Sequence, residues 1–275
     1  MNILTFDLEE WYVYQLYSKG GKDYYLPILD RYLHKLLDLL DEQNCKATFF
    51  CLGEVAREYP DVIRQIAARG HEIGCHSDKH TWITKLTPEE FYLDTKTAID
   101  ILQDITGTKV KSYRAPAFSI GDKNKWALEI LGKAGIENDC SIFPANRDFG
   151  GFPEFKYQVP CRIRYHDVVI KEFPIATTTL FGQEIAYSGG GYFRLIPYSI
   201  ISKLVKQNEY VMSYFHIRDF DAEQKQIINL RYFKNYYGIK SAYTKLTRFV
   251  KEFDFINIEC AGTFIDWDNV PIISL

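Results

Sequence analysis

Short apolar runs rich in β-branched and aromatic residues alternate along this chain with amphipathic helical patterns, and that alternation is the tightest constraint on its fold. The run "NILTF" is followed by a helical pattern from Leu26 to Leu40, then by "KATFFCL", then by a helix from about Glu54 that Gly70 ends. "HEIGCH" reads as a short third strand. "LTPEEFYLDTKTAIDILQDITG" reads as a helix with Thr87 as N-cap, Pro88 in the first turn, Glu90 closing a capping box and Gly107 as the stop. "VKSYRAP" supplies a fourth strand, Asp122 is expected to cap the helix of "KWALEILGKAG", and "IENDCSIF" supplies a fifth.

From Pro144 to about Tyr187 the rhythm breaks. "DFGGFPEF" reads as loop, and "YQVPCRIRY" and "VVIKEFPI" are β-rich, the second expected to return to the main sheet. After "SGGGYFRLIPY" the alternation resumes with a helix near Ile200 to Gln207, the strand "YVMSYFH", a helix over "SAYTKLTRFVKEF" and a closing strand "FINIEC". About seven parallel strands joined by helices predict an α/β fold: a (β/α) barrel, complete or distorted, or a large open parallel sheet. Residues 1–275 form a single domain in this reading, with a β-rich insertion at about 145–187. In such folds function gathers at the C-terminal ends of the strands.

The chain has 275 residues, 47% of them hydrophobic, enough for one core of barrel size. Lys plus Arg is 33 and Asp plus Glu is 36, a net charge of −3 with no basic run, which argues against a nucleic-acid partner. The six cysteines form no C-x-x-C pair and read as reduced core residues. Strand pattern starts at residue 2, with no apolar leader and no membrane-length segment, so the expected location is the cytoplasm.

Five expected strand ends carry polar or ionisable groups: Asp7 and Glu9, His76, Arg114, Asp139, and His216. In "HSDKH", His76 and His80 are spaced i, i+4, one face of a helical turn, which suits two imidazoles on one divalent metal. A third ligand has to come from another strand end. If "FDLEE" stays extended, Asp7 and Glu9 point to one side and Leu8 to the core, with Glu10 solvated. His34 and His166 read as structural and His71 as a turn residue, while Trp11 and Tyr12 are candidates for stacking on a sugar ring. "SGGGYFR" reads as either a flexible connection or a sugar-facing loop. A glycosidase built on Asp7 and Glu9 is disfavoured, because neighbours on one strand face lie about 7 Å apart with nothing to sandwich a glycosidic bond.

In their order along the chain, "TFDLEEW", "HSDKH", "RAPAF", "NDCSIF" and "YFH" resemble the five motifs of the polysaccharide deacetylases of carbohydrate esterase family 4, which share the NodB homology domain. "GGGYFR" is similar to a segment of the exopolysaccharide-associated branch. The resemblance implies removal of N-acetyl groups from N-acetylhexosamine units of a bacterial surface polysaccharide or its precursor, with a divalent metal, zinc first and cobalt, nickel or iron as alternatives. The family's first motif has two adjacent aspartates, a base and a metal ligand. Here the second position is Leu8, so the ligand role passes to Glu9, beside His76 and His80. The resemblance further implies Asp7 as base, Arg114 as its partner, and His216 as acid with Asp139 beside it. Pro116 and Ala117 supply an oxyanion-binding turn, with any stacking role passing to Phe118. Two rival readings follow from the same residues: a polysaccharide-binding pseudoenzyme disabled at Leu8, and a cyclic-amide hydrolase of the same superfamily.

Overall fold

The computed structural model describes residues 1–9, 32–147, 150–180, 182–223 and 236–275. Glu10, Trp11, Tyr12 and the first part of the Leu26–Leu40 pattern lie outside the described residues. Its centre is a nine-stranded sheet. In chain order the first elements are β1 (Asn2–Leu8), α1 (His34–Glu42), β2 (Thr48–Cys51), α2 (Gly53–Glu58), α3 (Pro60–Ala68), β3 (Glu72–Cys75), α4 (Pro88–Thr106), β4 (Ser112–Tyr113), α5 (Trp126–Lys133) and β5 (Asn138–Asp139). They are followed by β6 (Cys161–Tyr165), β7 (Val168–Glu172), β8 (Thr178–Leu180), β9 (Gln183–Ile185), α6 (Gly190–Leu195), α7 (Tyr198–Gln207), β10 (Val211–His216), α8 (Ile239–Glu252), α9 (Ile258–Phe264) and β11 (Ile272–Ser274).

The strand order is β10-β1-β2-β3-β4-β5-β7-β6-β11, and every pairing from β10 through β7 is parallel. That makes the expected seven parallel strands. The returning β-rich run is β7, paired in parallel with β5 and antiparallel with β6. Between β7 and β10 the wall is completed by other contacts: Tyr210 donates to the Pro174 carbonyl at 2.8 Å, and Gly189 bridges Tyr214.

Period-2 alternation divides the apolar residues into two cores. Leu4, Phe6, Leu8, Phe49, Val211 and Phe215 pack outward under the helices. Ile3, Phe50, Met212 and Tyr214 face inward, with Cys140, Phe143 and Phe173. The inward file of β1 therefore reads Ile3, Thr5, Asp7, and that of β10 reads Met212, Tyr214, His216. Each file begins in apolar filling and ends in chemistry at the strand's C-terminus.

Several local expectations are corrected. The helix expected from Glu54 to Gly70 is two helices, α2 and α3, because Pro60 has no N–H to continue the first and instead opens the second. The Thr87–Glu90 capping box and the left-handed Gly107 (φ 68°) bound α4 as expected. Asp122 does not cap α5; Gly121 and Asn124 close that turn, and Asp122 pairs with Lys125 at 2.7 Å. "FINIEC" is not a strand. Ile256 makes one bridge to Ile3, after which the Asn257 side chain accepts from Cys260 N–H at 2.8 Å and starts α9. That helix inserts Ile258 and Ala261 into the inner core, and the last strand is β11, on β6. All six cysteines are free and five are buried. Among the described residues no helix is long and apolar enough to cross a membrane.

Candidate active site

The inward files deliver Asp7 and His216 side by side, since β1 and β10 pair Asp7 with His216 in register. Glu9 follows one pleat beyond Asp7. Both carboxylates are almost fully buried, and Leu8 sits in the outer core as the alternation requires. Each therefore needs a cationic or hydrogen-bonding partner.

Glu9 meets the two histidines of "HSDKH". Its Oε1 lies 3.0 Å from Nε2 of His76 and 2.9 Å from Nε2 of His80. The connection is not a helical turn: Ser77 (φ 74°) and His80 (φ 56°) are left-handed, and the Ser77 hydroxyl accepts from His80 N–H at 3.0 Å, curling the loop so that both rings face Glu9. Nδ1 of His76 donates to the Arg114 carbonyl at 2.7 Å, which leaves Nε2 as the lone-pair atom. Burial opposes the charge on Glu9, but His80, His216 and Arg218 together with the His76 hydrogen bond outweigh it and hold Glu9 well below the usual carboxylate range. Burial likewise pushes His80 down, while the Asp7 and Glu9 charges raise His76 against its burial.

These three donors fit a divalent metal. Their ligand atoms lie within 4.8 Å of one another. Donors of a tetrahedral centre with bonds of about 2.0–2.1 Å sit about 3.3 Å apart, close to the spacings found here, and two imidazoles with one carboxylate leave a position open for chemistry.

Asp7 is held differently. Arg114, fully buried, donates through Nη1 to Asp7 Oδ1 at 2.8 Å and to the Thr5 hydroxyl at 2.7 Å, and through Nε to the Cys140 carbonyl at 3.3 Å. The guanidinium lies 4.2 Å from the centroid of Phe50. Phe50 reaches it because residue 74 on the neighbouring strand is glycine, where a Cβ would come within 2.7 Å of that ring. The other oxygen of Asp7 faces Nε2 of His216 at 3.7 Å, and Glu9 Oε2 lies 3.8 Å from the same nitrogen.

The structure overturns the expected partner of His216. Asp139 does not reach it. Cys140 faces the inner core and Ile170 the outer one, so period-2 alternation turns Asp139 and its register partner Glu172 outward, under the helices. There Ser141 donates to Asp139 Oδ1 at 2.5 Å and accepts from Ala115 N–H at 2.8 Å. Among the described residues neither Asp139 Oδ2 nor Glu172 Oε2 accepts a hydrogen bond. Burial pushes Asp139 up to about 6, and burial together with the Asp139 charge beside it pushes Glu172 well above the usual carboxylate range.

His216 instead pairs with Asp219, which sequence reasoning missed. Asp219 Oδ2 accepts from His216 N–H at 3.0 Å and lies 3.2 Å from His216 Nδ1. Despite its burial, Asp219 is held far below the carboxylate range by Arg194 and by its hydrogen bond to His216. Arg194 is buried against it, so this part of "GGGYFR" serves Asp219 rather than a sugar. Arg218 donates to Glu9 Oε2 at 2.6 Å. The available signal was local, two charged residues two and three positions after the strand-ending histidine.

Pro116 is buried and Ala117 half-buried, and Ala117 (φ 55°) and Phe118 (φ 53°) form a left-handed turn beside Arg114. Phe118 is corrected as a stacking residue: its ring is buried edge-on against Phe143 (5.5 Å) and Tyr214 (5.0 Å), with no open face for a sugar. His34, His71 and His166 bond to Gln65, to Ala47 N–H and to Glu129, away from this centre.

Residues 4–138 match the polysaccharide deacetylase family, and residues 140–261 match a domain of unknown function (DUF3473). A peptidoglycan-N-acetylglucosamine deacetylase of Bacillus cereus is 38% identical over 96 residues, 34% of this chain and 35% of that protein. Chitin deacetylase 1 of Cryptococcus neoformans is 31% identical over 88 residues, 32% of this chain and 19% of that protein. These relatives are thus matched over about a third of their length or less. A Mycobacterium smegmatis structure assigned as a polysaccharide deacetylase superimposes with a TM-score of 0.69 at 17% identity, covering 100% of this chain and 92% of that one, which shows the shared fold. Asp7, Glu9, His76, His80 and Arg114 fall in the first matched region, and Arg194, His216, Arg218 and Asp219 in the second, joined by the β1–β10 ladder. With its motifs, sheet and matched region in agreement, the chain carries a polysaccharide deacetylase domain over residues 4–138.

Proposed function

We propose that this protein is a metal-dependent hydrolase that removes N-acetyl groups from N-acetylhexosamine units of a bacterial surface polysaccharide or its precursor. The observation that carries the reading is the convergence of Glu9, His76 and His80 beside a second buried carboxylate, Asp7, and a half-buried imidazole, His216. Glu9, His76 and His80 would hold the metal, zinc by preference, which when bound supplies Lewis acidity toward the acetamide carbonyl. Asp7 takes the proton of the attacking water through Oδ2, because Oδ1 is engaged by Arg114, which orients the carboxylate. The left-handed turn at Ala117 presents a backbone N–H to the developing oxyanion. His216, its Nδ1 held by Asp219, gives a proton from Nε2 to the departing amine. The N-acetylglucosamine deacetylase of Bacillus cereus supports the substrate class.

The test is acetate release from N-acetylglucosamine oligosaccharides by the zinc-loaded protein, with mass spectrometry to locate the freed amines. Deacetylated product that disappears on chelation and returns with zinc is expected. Tight zinc binding with no acetate from any acetylated glycan would overturn the reading in favour of a polysaccharide-binding protein.

A further inference from the structure

The arginines around this centre are committed to carboxylates: Arg114 to Asp7, Arg194 to Asp219 and Arg218 to Glu9. Arg147 is the exception. It is exposed, and among the described residues no carboxylate lies within ion-pair distance of it. Its guanidinium rests on two aromatic rings, 4.6 Å from the centroid of Phe143 and 5.2 Å from that of Phe118. A guanidinium supported on ring faces keeps its N–H edge available for in-plane, two-pronged hydrogen bonding, with little of its rotamer freedom left to lose on binding.

The position is fixed relative to the chemistry. Phe118 packs on Tyr214, whose ring centroid lies 6.4 Å from that of His216. Gly151 N–H donates to the Phe118 carbonyl at 2.9 Å, tying residue 151 to the Ala117 turn. Gly150 has φ 152°, and a Cβ there would meet the Ala117 carbonyl at 2.4 Å, so the contact requires glycine. Arg147 and the turn that faces the oxyanion therefore form one packed unit at the edge of the centre.

We propose that Arg147 is a subsite for an anionic group on the glycan, a hexuronate carboxylate or a phosphate, carried next to the N-acetylhexosamine being processed. The inference rests on the deacetylase reading and narrows its substrate to a charged chain rather than a neutral, chitin-like one. Planar, bidentate recognition of carboxylate or phosphate is what an exposed, stacked guanidinium offers.

The test measures acetate release by zinc-loaded wild type, Arg147→Ala and Arg147→Lys on three substrates. These are a neutral N-acetylglucosamine tetramer, an oligomer alternating N-acetylglucosamine with glucuronate, and an N-acetylglucosamine oligomer carrying a 1-phosphate. Wild type should favour at least one charged substrate at low salt, and Arg147→Ala should lower the charged-to-neutral ratio of kcat/KM about tenfold, through KM. Arg147→Lys should restore part of it. The charged arm that responds identifies the source of the anion. A wild type without preference, or an Arg147→Ala ratio equal to that of wild type, overturns the subsite. If no substrate is deacetylated, the deacetylase reading fails separately, and equilibrium binding of the same oligomers decides the subsite. Salt-sensitive binding of a charged oligomer that Arg147→Ala weakens supports it, and binding indifferent to residue 147 overturns it.

Discussion

Asp219 Oδ2 takes both N–H groups that His216 offers it, the main-chain one at 3.0 Å and the Nδ1 side at 3.2 Å. The pairing fixes the tautomer and aims Nε2 at the two buried carboxylates. Asp219→Asn should lower turnover on an acetamidosugar by about 10²-fold while leaving zinc content unchanged, because Asp219 supports His216 and Arg194 and not the metal-binding groups. An activated aryl acetate, whose leaving group needs no proton, should be affected far less. Equal losses on both substrates, with Asp219→Asn or with His216→Ala, would count against His216 as the acid.

Glu9 and Asp7 should separate by substitution. Glu9→Gln should weaken zinc binding by at least about 100-fold in a competition titration, since it removes a ligand and not a supporting contact. Asp7→Asn should keep zinc and lose about 10²–10⁴-fold in turnover. It should also cost about 3 kcal/mol in a urea titration, because Arg114 is left charged and fully buried without a counter-charge. Metal loss from Asp7→Asn with retention in Glu9→Gln would reverse the two assignments.

The Asp139–Glu172 pair predicts a pH dependence of stability with a definite sign. Both groups are raised by burial, so the folded protein binds more protons there than the unfolded chain does. The stabilisation is complete below the unfolded Asp pKa of about 3.9 and is lost as pH rises through the folded Asp139 value of about 6. Glu172→Gln, which keeps a neutral donor beside Asp139, should flatten this part of the profile. Urea midpoints between pH 4 and pH 7 for both proteins would check it, with an expected difference on the order of 1–3 kcal/mol across that range.

Gly74→Ala tests the packing under Arg114. The added methyl would lie 2.7 Å from Phe50, which must shift against the guanidinium it supports. A loss of about 1–3 kcal/mol in stability is expected, with turnover lowered alongside it. Gly107→Ala, where a Cβ meets nothing within 4 Å, should lose stability from its left-handed φ of 68° but leave turnover as it is. Acetate release and thermal midpoints of the two variants would tell these effects apart.

By itself the sequence determined the succession of strands and helices, the parallel sheet and the file of polar groups at its strand ends, because periodicity, capping and pleat alternation act over a few neighbouring residues. It also brought Asp7, Glu9, His76, His80, Arg114 and His216 into one reading, since five motifs in order fix which strand ends carry chemistry. Only the tertiary structure decided which partner each group meets. Asp139 stands at a strand end, as expected, but one step of alternation faces it away from the centre toward Glu172. Asp219 takes its place because the turn after β10 bends back on His216 and Arg194 arrives from α6 to neutralise it. The same holds for "FINIEC", whose strand-like pattern gives way to α9 once Glu259 N–H meets Glu72 at 2.9 Å and Ile258 N–H meets Thr48 at 3.0 Å. Those partners lie 187 and 210 residues away in the chain, a separation over which local patterning carries no information and only the closed fold selects the contact.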